Sequence, residues 1–191
     1  MTNGSRGDAE HLKEQAAAVL AGLGLRFSAA KTRITHLSEG IDFLGFHLQW
    51  RKRRGGGKWF CMTMIADKAF ATIKQTIRNL TPRRSPRPLT AVIYEVNAAL
   101  RGWTFYFRHA IAGRRFSFLR YFTWRRFVAW QRAQHRWNWT AVRRWLRRPD
   151  GSWKPISAAD VALFDPTKVR IERYRYRGAR IPSPYDPVTA A

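Results

Sequence analysis

Residues 89–110 read LTAVIYEVNAALRGWTFYFRHA, a stretch in which apolar residues recur with the period of a helix. The apolar positions follow one another in steps of four and three residues, and they are Leu89, Ile93, Val96, Leu100, Trp103 and Phe107. This spacing places all six on one side of a helix, which is the side expected to pack against neighbours. The stretch therefore predicts a helix from about residue 89, with Trp103 and Phe107 in the core.

A second face of the same helix alternates aromatic and cationic side chains. Tyr94, Arg101, Phe105 and Arg108 are seven, four and three residues apart, so they share a face that differs from the apolar one. Unpaired arginines are too costly to bury, and the nearest acid in sequence, Glu95, lies on another face. We therefore expect this face to be open to an anionic partner.

The composition of the whole chain points to the same kind of partner. Lys and Arg number 36 against 12 Asp and Glu in 191 residues, which gives a net charge of +24. Residues 97–149 hold thirteen arginines, no lysine and no acid, and so carry more than half of that charge. Such a balance favours nucleic acid as the partner. Nine Trp, twelve Phe and six Tyr exclude a disordered basic tail.

The first 80 residues alternate between helical and strand periods. Residues 1–8 are polar and predicted to be frayed, and an amphipathic helix is predicted from residue 10 to the glycines at 22 and 24. Residues 40–50 alternate as one strand, and 59–65 predict a return strand after a basic, glycine-rich tip. Asp67 is the predicted N-cap of a helix whose apolar positions are Phe70, Ile73, Ile77 and Leu80.

The second half is predicted to be mainly helical. A helix over 117–133 has an apolar face made by Phe116, Leu119, Phe127 and Trp130. A short helix follows Asn138 as its cap, a turn follows at 149–151, a strand is predicted over 168–177, and an extended tail over 181–191. The fold class expected from these elements is α+β and mainly α.

The residues give little support to an enzyme. The acids are scattered, and the five histidines show no spacing of metal ligands. Asp42 and Glu39 are conceivable metal ligands, but a strand-edge carboxylate paired with arginine is commoner, and no metal or cofactor is expected. Cys61, the only cysteine, is predicted to be inert packing in a strand, and it excludes a disulfide framework. With no apolar run long enough to span a bilayer, we expect a cytoplasmic protein with no membrane partner.

Several stretches resemble one protein family in the order in which they occur. FSAAKTRITHLSEGIDFLGFHL, at 27–48, resembles the end of the palm in group II intron reverse transcriptases, where a Lys-Thr pair precedes a Phe-Leu-Gly-Phe hairpin. LRGWTFYFRHA and FSFLRYFTWRRFVAWQR are similar to the thumb and maturase portion, called domain X. RPDGSW and RGARIPSPYDP are similar to its C-terminal stretch. The resemblance covers almost the entire chain from about residue 10.

The resemblance implies a domain organisation and a set of functional residues. Residues 1–65 would be a palm remnant, 66–150 a thumb-like helical maturase domain, and 151–191 its C-terminal extension. The family's primer grip corresponds to Phe43, Leu44, Gly45 and Phe46. The side chains expected to contact structured group II intron RNA are Arg101, Phe105, Arg108, Arg125, Arg126, Arg143 and Arg144.

The chain departs from the family at the motif that polymerisation requires. The family's catalytic Tyr-Ala-Asp-Asp box is expected shortly before the helix at residue 10, where this chain has MTNGSRGDA. Asp8 alone does not replace two metal-binding aspartates, so we expect no polymerisation by this chain itself. The function implied is that of a maturase-type protein that binds intron RNA and assists its folding and splicing.

Two alternatives remain open at this point. The chain could be the C-terminal half of a split reverse transcriptase, acting in trans with a separately encoded palm that would bring its own Mg²⁺. It could also be a remnant of a mobile element without a function.

Overall fold

The computed structural model describes residues 4–52, 55–57, 59–83 and 85–172. Helices dominate this part of the chain, and short strands accompany them, so the expected α+β, mainly α class is confirmed. In chain order the elements are α1 (Arg6–Gly22), β1 (Ile41–Phe43), β2 (Phe46–Lys52), β3 (Trp59–Ile65), α2 (Asp67–Leu80), α3 (Leu89–Phe107), α4 (Gly113–His135), α5 (Trp139–Leu146), β4 (Ser157–Ala158) and β5 (Val161–Ala162), followed by a 3-10 helix (Pro166–Lys168).

The chain divides into two compact units. One comprises Met1–Ile41 with Leu48–Met62, and the other comprises Asp42–His47 with Thr63–Ala191. Strands β1, β2 and β3 are hydrogen-bonded in that order, which confirms the hairpin predicted to end at residue 65. Helices α2 to α5 all belong to the second unit.

Helix α1 begins earlier than the sequence pattern indicates. The Ser5 hydroxyl accepts a hydrogen bond from the Asp8 backbone N–H, and the Asp8 carboxylate accepts one from the Ser5 backbone N–H at 2.7 Å. These reciprocal bonds form a capping box. The bond from the Ser5 N–H, and then one from the Ser5 hydroxyl, lower the pKa of the Asp8 carboxyl. The prediction that residues 1–8 fray is therefore wrong for 6–8. No residue of α1 is buried, and Leu12 and Val19 on its apolar face are exposed.

Residues 40–50 form two strands and a tight turn rather than the single predicted strand. Leu44 and Gly45 have φ of 48° and 81°, which is the left-handed conformation required at both centres of a two-residue hairpin turn. The Tyr106 hydroxyl donates to the Leu44 carbonyl at 2.8 Å, and the Ala66 N–H donates to the Gly45 carbonyl at 2.8 Å. Contacts from distant residues thus stabilise a turn at Leu44, a residue type that rarely adopts this conformation.

This turn also changes the partner of Asp42. Alternation along a single strand assigns Asp42 and His47 to opposite faces, whereas the turn brings their side chains within hydrogen-bond distance. His47 Nδ1 lies 2.6 Å from Asp42 Oδ1. The expectation that an arginine pairs with this carboxylate is wrong, because the hairpin supplies a nearer partner.

The core of the second unit is made by the predicted faces of α2, α3 and α4. The buried members of those faces are Phe70, Ile73, Ile77, Ile93, Val96, Leu100, Phe107, Phe116, Leu119, Phe127 and Trp130. Leu80, Leu89 and Trp103 pack against this core while partly buried. The helical spacing therefore identified the buried faces correctly, and each fully buried side chain of this kind contributes about 1.5–3 kcal/mol through apolar burial.

The N-termini of α5 and α2 test the N-cap residues predicted from the sequence. Asn138 caps α5 as predicted, because its side chain accepts from the Ala141 N–H at 2.9 Å. Asp67 is not the cap of α2; Ala66 occupies that position, and Asp67 lies in the first turn, where it pairs with Arg115. A carboxylate in the first turn still interacts favourably with the positive end of the helix dipole.

The chain after α5 packs against α3 through Asn97. This buried side chain donates to the Ala162 carbonyl at 2.9 Å and accepts from the Phe164 N–H at 2.7 Å. The turn predicted at 149–151 is present, with Gly151 at φ 82°. The strand predicted from 168 is wrong over 168–172, where a 3-10 helix ends and irregular chain follows; its remainder and the predicted tail lie outside the described residues.

Among the residues that the structure describes, no helix has the length and apolar character needed to cross a membrane.

Replacing Gly45 tests whether the hairpin turn is held by packing against α3. A Cβ at this position would lie 3.1 Å from Cζ of Phe107, a ring that other aromatics already surround. Gly45→Ala should cost about 1–2 kcal/mol in backbone strain and about 1–3 kcal/mol more in overpacking, as measured by urea unfolding. Gly151→Ala is the matched control, since Gly151 has a similar φ but only a flexible guanidinium at 3.6 Å. Equal destabilisation of the two variants would show that Phe107 yields easily.

Candidate nucleic-acid interface

The face of α3 predicted to be open is partly covered by the C-terminal segment. The Arg101 guanidinium lies 5.6 Å from the ring centroid of Phe164, a cation–π distance. Arg108 Nη2 is 3.9 Å from Glu172 Oε2, and its guanidinium is 5.9 Å from the Phe105 ring. The sequence neighbourhood of Arg108 contains no acid on this face, so Glu172 is a partner that only the tertiary structure supplies.

A more exposed set of aromatic and cationic side chains follows one face of α4. We call Arg114, Phe118, Tyr121, Arg125 and Arg132 the α4 strip; they are spaced by four, three, four and seven residues. The two aromatic residues of the strip, Phe118 and Tyr121, keep 48% and 57% of their surface exposed. The guanidinium of Arg125 lies 5.8 Å from the Tyr121 ring centroid, and that of Arg132 lies 4.9 Å from the ring of Trp139 on α5.

Helix α2 adds cations along one side of this strip. Lys74 Nζ lies 5.9 Å from the Phe118 ring centroid, and the Arg78 guanidinium lies 5.3 Å from the Phe122 ring. The rings of Phe118 and Phe122 are stacked, with an interplanar angle of 14° and centroids 6.2 Å apart. Exposed aromatic faces on α4 are thus bordered by positive charge from two helices.

Arg125 and Arg126, adjacent in sequence, have different environments. Arg126 Nε donates to the Thr81 hydroxyl at 3.1 Å, and its Nη2 donates to the Thr81 carbonyl at the C-terminal end of α2. A cation at this position satisfies a carbonyl that the helix leaves unpaired and interacts favourably with its dipole. Partial burial, and then the charges of Arg78 and Arg83, lower the pKa of Arg126. Arg126 therefore joins α2 to α4, whereas Arg125 is exposed.

Arg143 and Arg144 lie exposed on the short helix α5. Neither side chain forms an ion pair or a hydrogen bond within the described ranges. Trp139, at the start of the same helix, is half exposed. This end of the molecule presents further cations next to an aromatic ring.

The arginines of residues 97–149 outnumber the acids that reach them. Three of the thirteen pair with carboxylates, and all three carboxylates lie outside that range: Arg108 with Glu172, Arg115 with Asp67, and Arg120 with Asp165. For the other ten, no ion-pair partner exists in the part of the chain that the structure describes. The surface therefore retains a strong positive charge after folding.

The four primer-grip-like residues occupy two environments. Phe43 and Leu44 are 59% and 68% exposed at the tip of the turn. Phe46 packs against the rings of Tyr106 and Phe107 at 5.3 and 5.0 Å between centroids, and Gly45 lies against Phe107. Two of the four residues therefore attach the hairpin to α3, and the other two are free to contact a partner.

The remaining candidates for chemistry do not form a reactive centre. Cys61 is exposed on β3 rather than packed, and desolvation raises the pKa of its thiol, which disfavours the nucleophilic thiolate. Within the described residues, no three His, Cys, Asp or Glu side chains lie close enough to hold a metal ion.

A comparison with protein-family models identifies the helical region. Residues 70–149 match the family model described as "Group II intron, maturase-specific domain". The chain contains a group II intron maturase-specific domain. The matched residues run from Phe70 on α2 to Pro149, three residues after the end of α5, and they include all seven predicted RNA-binding residues. No curated protein matches the chain.

The maturase-specific domain contains candidate contacts that the sequence reasoning missed. Among them are Arg114, Phe118, Tyr121 and Arg132 of the α4 strip, together with Lys74 and Arg78 on α2. The spacing of Arg114, Phe118, Tyr121 and Arg125 was visible in the sequence, where it runs parallel to the apolar face of the same helix. The sequence did not reveal that Lys74 and Arg78 lie close to these rings, because their position depends on how α2 packs against α4.

The contrast between Arg125 and Arg126 predicts different effects on the stability of the maturase-specific domain. Arg126→Met should lower the free energy of unfolding by about 1–3 kcal/mol, because it leaves the Thr81 carbonyl without its charged donor. Arg125→Met, the neighbouring control, should change it by less than about 0.5 kcal/mol, since that side chain is exposed. Urea unfolding followed by tryptophan fluorescence measures both, and equal stabilities for the two variants would contradict a joining role for Arg126.

Proposed function

We propose that this chain binds structured group II intron RNA and assists its folding and splicing without performing the chemistry itself. The observation that carries the proposal is a set of ten arginines in residues 97–149 that have no acidic partner in the described chain. All ten belong to the maturase-specific domain. A protein that stabilises one RNA fold needs a cationic surface with a defined shape, and it needs no catalytic residue of its own.

Arginine suits this task because of its geometry. Its planar guanidinium makes paired hydrogen bonds to phosphate oxygens, and each neutralised phosphate releases counterions. Among the seven predicted contacts, Arg125, Arg143 and Arg144 are exposed and free of acids, so we expect them to bind phosphates directly. Arg101, Phe105 and Arg108 would contribute from the α3 face, and Arg126 would act mainly by positioning α4.

The decisive test compares RNA molecules at several salt concentrations. Purified full-length protein should bind the intron from its own locus more tightly than an unrelated folded RNA of equal length. It should also accelerate splicing of that intron at low Mg²⁺. Equal affinities with the same dependence on salt, a slope of about −0.7 to −0.9 per neutralised phosphate, would indicate nonspecific attraction alone. That outcome would leave the mobile-element remnant as the better account.

Arg143 and Arg144 provide a sharper test of the phosphate binding. Arg143→Gln with Arg144→Gln should weaken intron binding and reduce the salt slope by about one for each phosphate that the variant no longer neutralises. The control variant, Arg6→Gln with Lys13→Gln, removes the same number of charges from α1, outside the matched domain. Filter binding across a salt series measures both slopes. Equal reductions in the two variants would mean that net charge, rather than the α5 surface, determines binding.

One observation favours a second candidate function. Helix α1 buries none of its residues, and it exposes Leu12 and Val19 at 44% and 69%. A separately encoded reverse transcriptase palm that covered this face would supply the catalytic aspartates and their Mg²⁺, making the chain half of a split polymerase. Mixing the two proteins should then produce primer extension that neither shows alone, and Val19→Asp should abolish it.

A further inference from the structure

The α4 strip places two exposed aromatic rings between arginines. From Arg114 to Arg125 the strip rises about 1.5 Å per residue along one face of a continuous helix, so its members are held in a fixed order. Phe118 and Tyr121 are both about half exposed in the middle of this run. Exposed aromatic surface is unfavourable in water, so a partner that covered both rings would be stabilised by their burial.

The charge around these rings restricts what that partner can be. Lys74, Arg78 and Arg125 all lie within 6 Å of an aromatic ring on this side of α4. Glu95, the one acid within the matched residues, is paired with Arg87, and Asp67, which precedes them, is paired with Arg115. A partner that covers this surface must therefore be anionic, and it must also offer flat apolar faces to the rings.

Unpaired RNA fits both requirements better than duplex RNA does. In a duplex the bases are stacked on one another, and a protein reaches only phosphates, 2′-hydroxyls and base edges, for which arginines suffice. Unpaired nucleotides expose their base faces, and aromatic side chains stack on them with little dependence on sequence. Rings bordered by guanidinium groups match a strand whose bases and phosphates alternate.

We propose that the α4 strip holds unpaired nucleotides of the bound RNA, with bases stacked on Phe118 and Tyr121 and adjacent phosphates contacted by Arg114 and Arg125. This inference rests on the proposed RNA-binding function and specifies which part of the RNA the strip recognises. The strip then binds loops or junctions, while exposed cations such as Arg143 and Arg144 bind backbone phosphates irrespective of pairing.

The test uses variants that separate aromatic character from apolar bulk. Phe118→Leu with Tyr121→Leu retains apolar volume and removes the π faces, whereas Phe118→Tyr with Tyr121→Phe retains both rings. Phe60→Leu is the matched control, because Phe60 is also exposed, at 38%, but lies on β3, outside the matched residues 70–149. Fluorescence anisotropy with the full chain measures affinity for a single-stranded RNA oligonucleotide and for a duplex of the same length at fixed salt.

The expected result is a selective weakening. The leucine pair should bind the single strand about tenfold more weakly or worse, corresponding to at least about 1.4 kcal/mol over the two bases, and it should bind the duplex within about twofold of the wild type. The ring-preserving pair and Phe60→Leu should bind both RNAs nearly as the wild type does. Thermal melts would verify that all the variants fold.

Three outcomes would overturn the inference, and they separate it from the proposed function. If the leucine pair binds both RNAs equally weakly, or neither more weakly than the wild type does, the strip does not recognise unpaired bases, although RNA binding itself stands. If a polyglutamate peptide displaces the single strand and the leucine pair still binds that peptide, the surface serves an acidic protein. If the wild type binds neither of these RNAs nor the intron, the proposed function fails as well.

Discussion

The packing of Phe107 against the hairpin at residues 43–46 is the contact on which the rest of this unit depends. The Phe107 ring lies about 5 Å from the rings of Phe46, Trp103 and Tyr106, and its Cζ would lie only 3.1 Å from a Cβ at Gly45. The bonds from Tyr106 and Ala66 hold the turn at Leu44, and this contact packs the end of α3 against it. With α3 held in this way, its apolar face is directed towards α2 and α4, and its arginines are directed away from them.

The positive surface follows from the same division of each helix into two faces. The cores of α3 and α4 use one apolar face each, and the shortage of acids leaves most arginines on the other face without a carboxylate. Burying them would cost far more than the packing could return, so they remain on the surface. Arg126 is the informative exception, since the C-terminal end of α2 supplies the carbonyl that an inward-directed guanidinium needs. Stability and the proposed RNA binding therefore depend on neighbouring residues of one helix.

The helices of this protein could be predicted well because their signal is local. Apolar residues at helical spacing identified the buried faces of α2, α3 and α4, and Asn138 identified the start of α5. Predictions failed where contacts between residues far apart in sequence determine the local structure. Alternation at 40–50 is equally consistent with a long strand, and only the bonds from Tyr106 and Ala66 select the turn. The pairing of Arg108 with Glu172 likewise spans residues far apart in sequence.

The amino-acid sequence by itself determined the helical class, the composition of the core and the excess of arginine. The spacing of apolar residues is a property of short stretches, and the charge balance is a property of the total composition, so neither depends on contacts between distant residues. It also indicated the resemblance to group II intron proteins, and the family model confirms the maturase-specific domain at residues 70–149. Only the tertiary structure decided which cations remain available. Arg125 and Arg126 are the same residue type at adjacent positions, but Arg125 is exposed to solvent and Arg126 reaches the C-terminal end of α2. Whether a guanidinium is free depends on which carbonyls and carboxylates folding brings within about 3 to 4 Å of it.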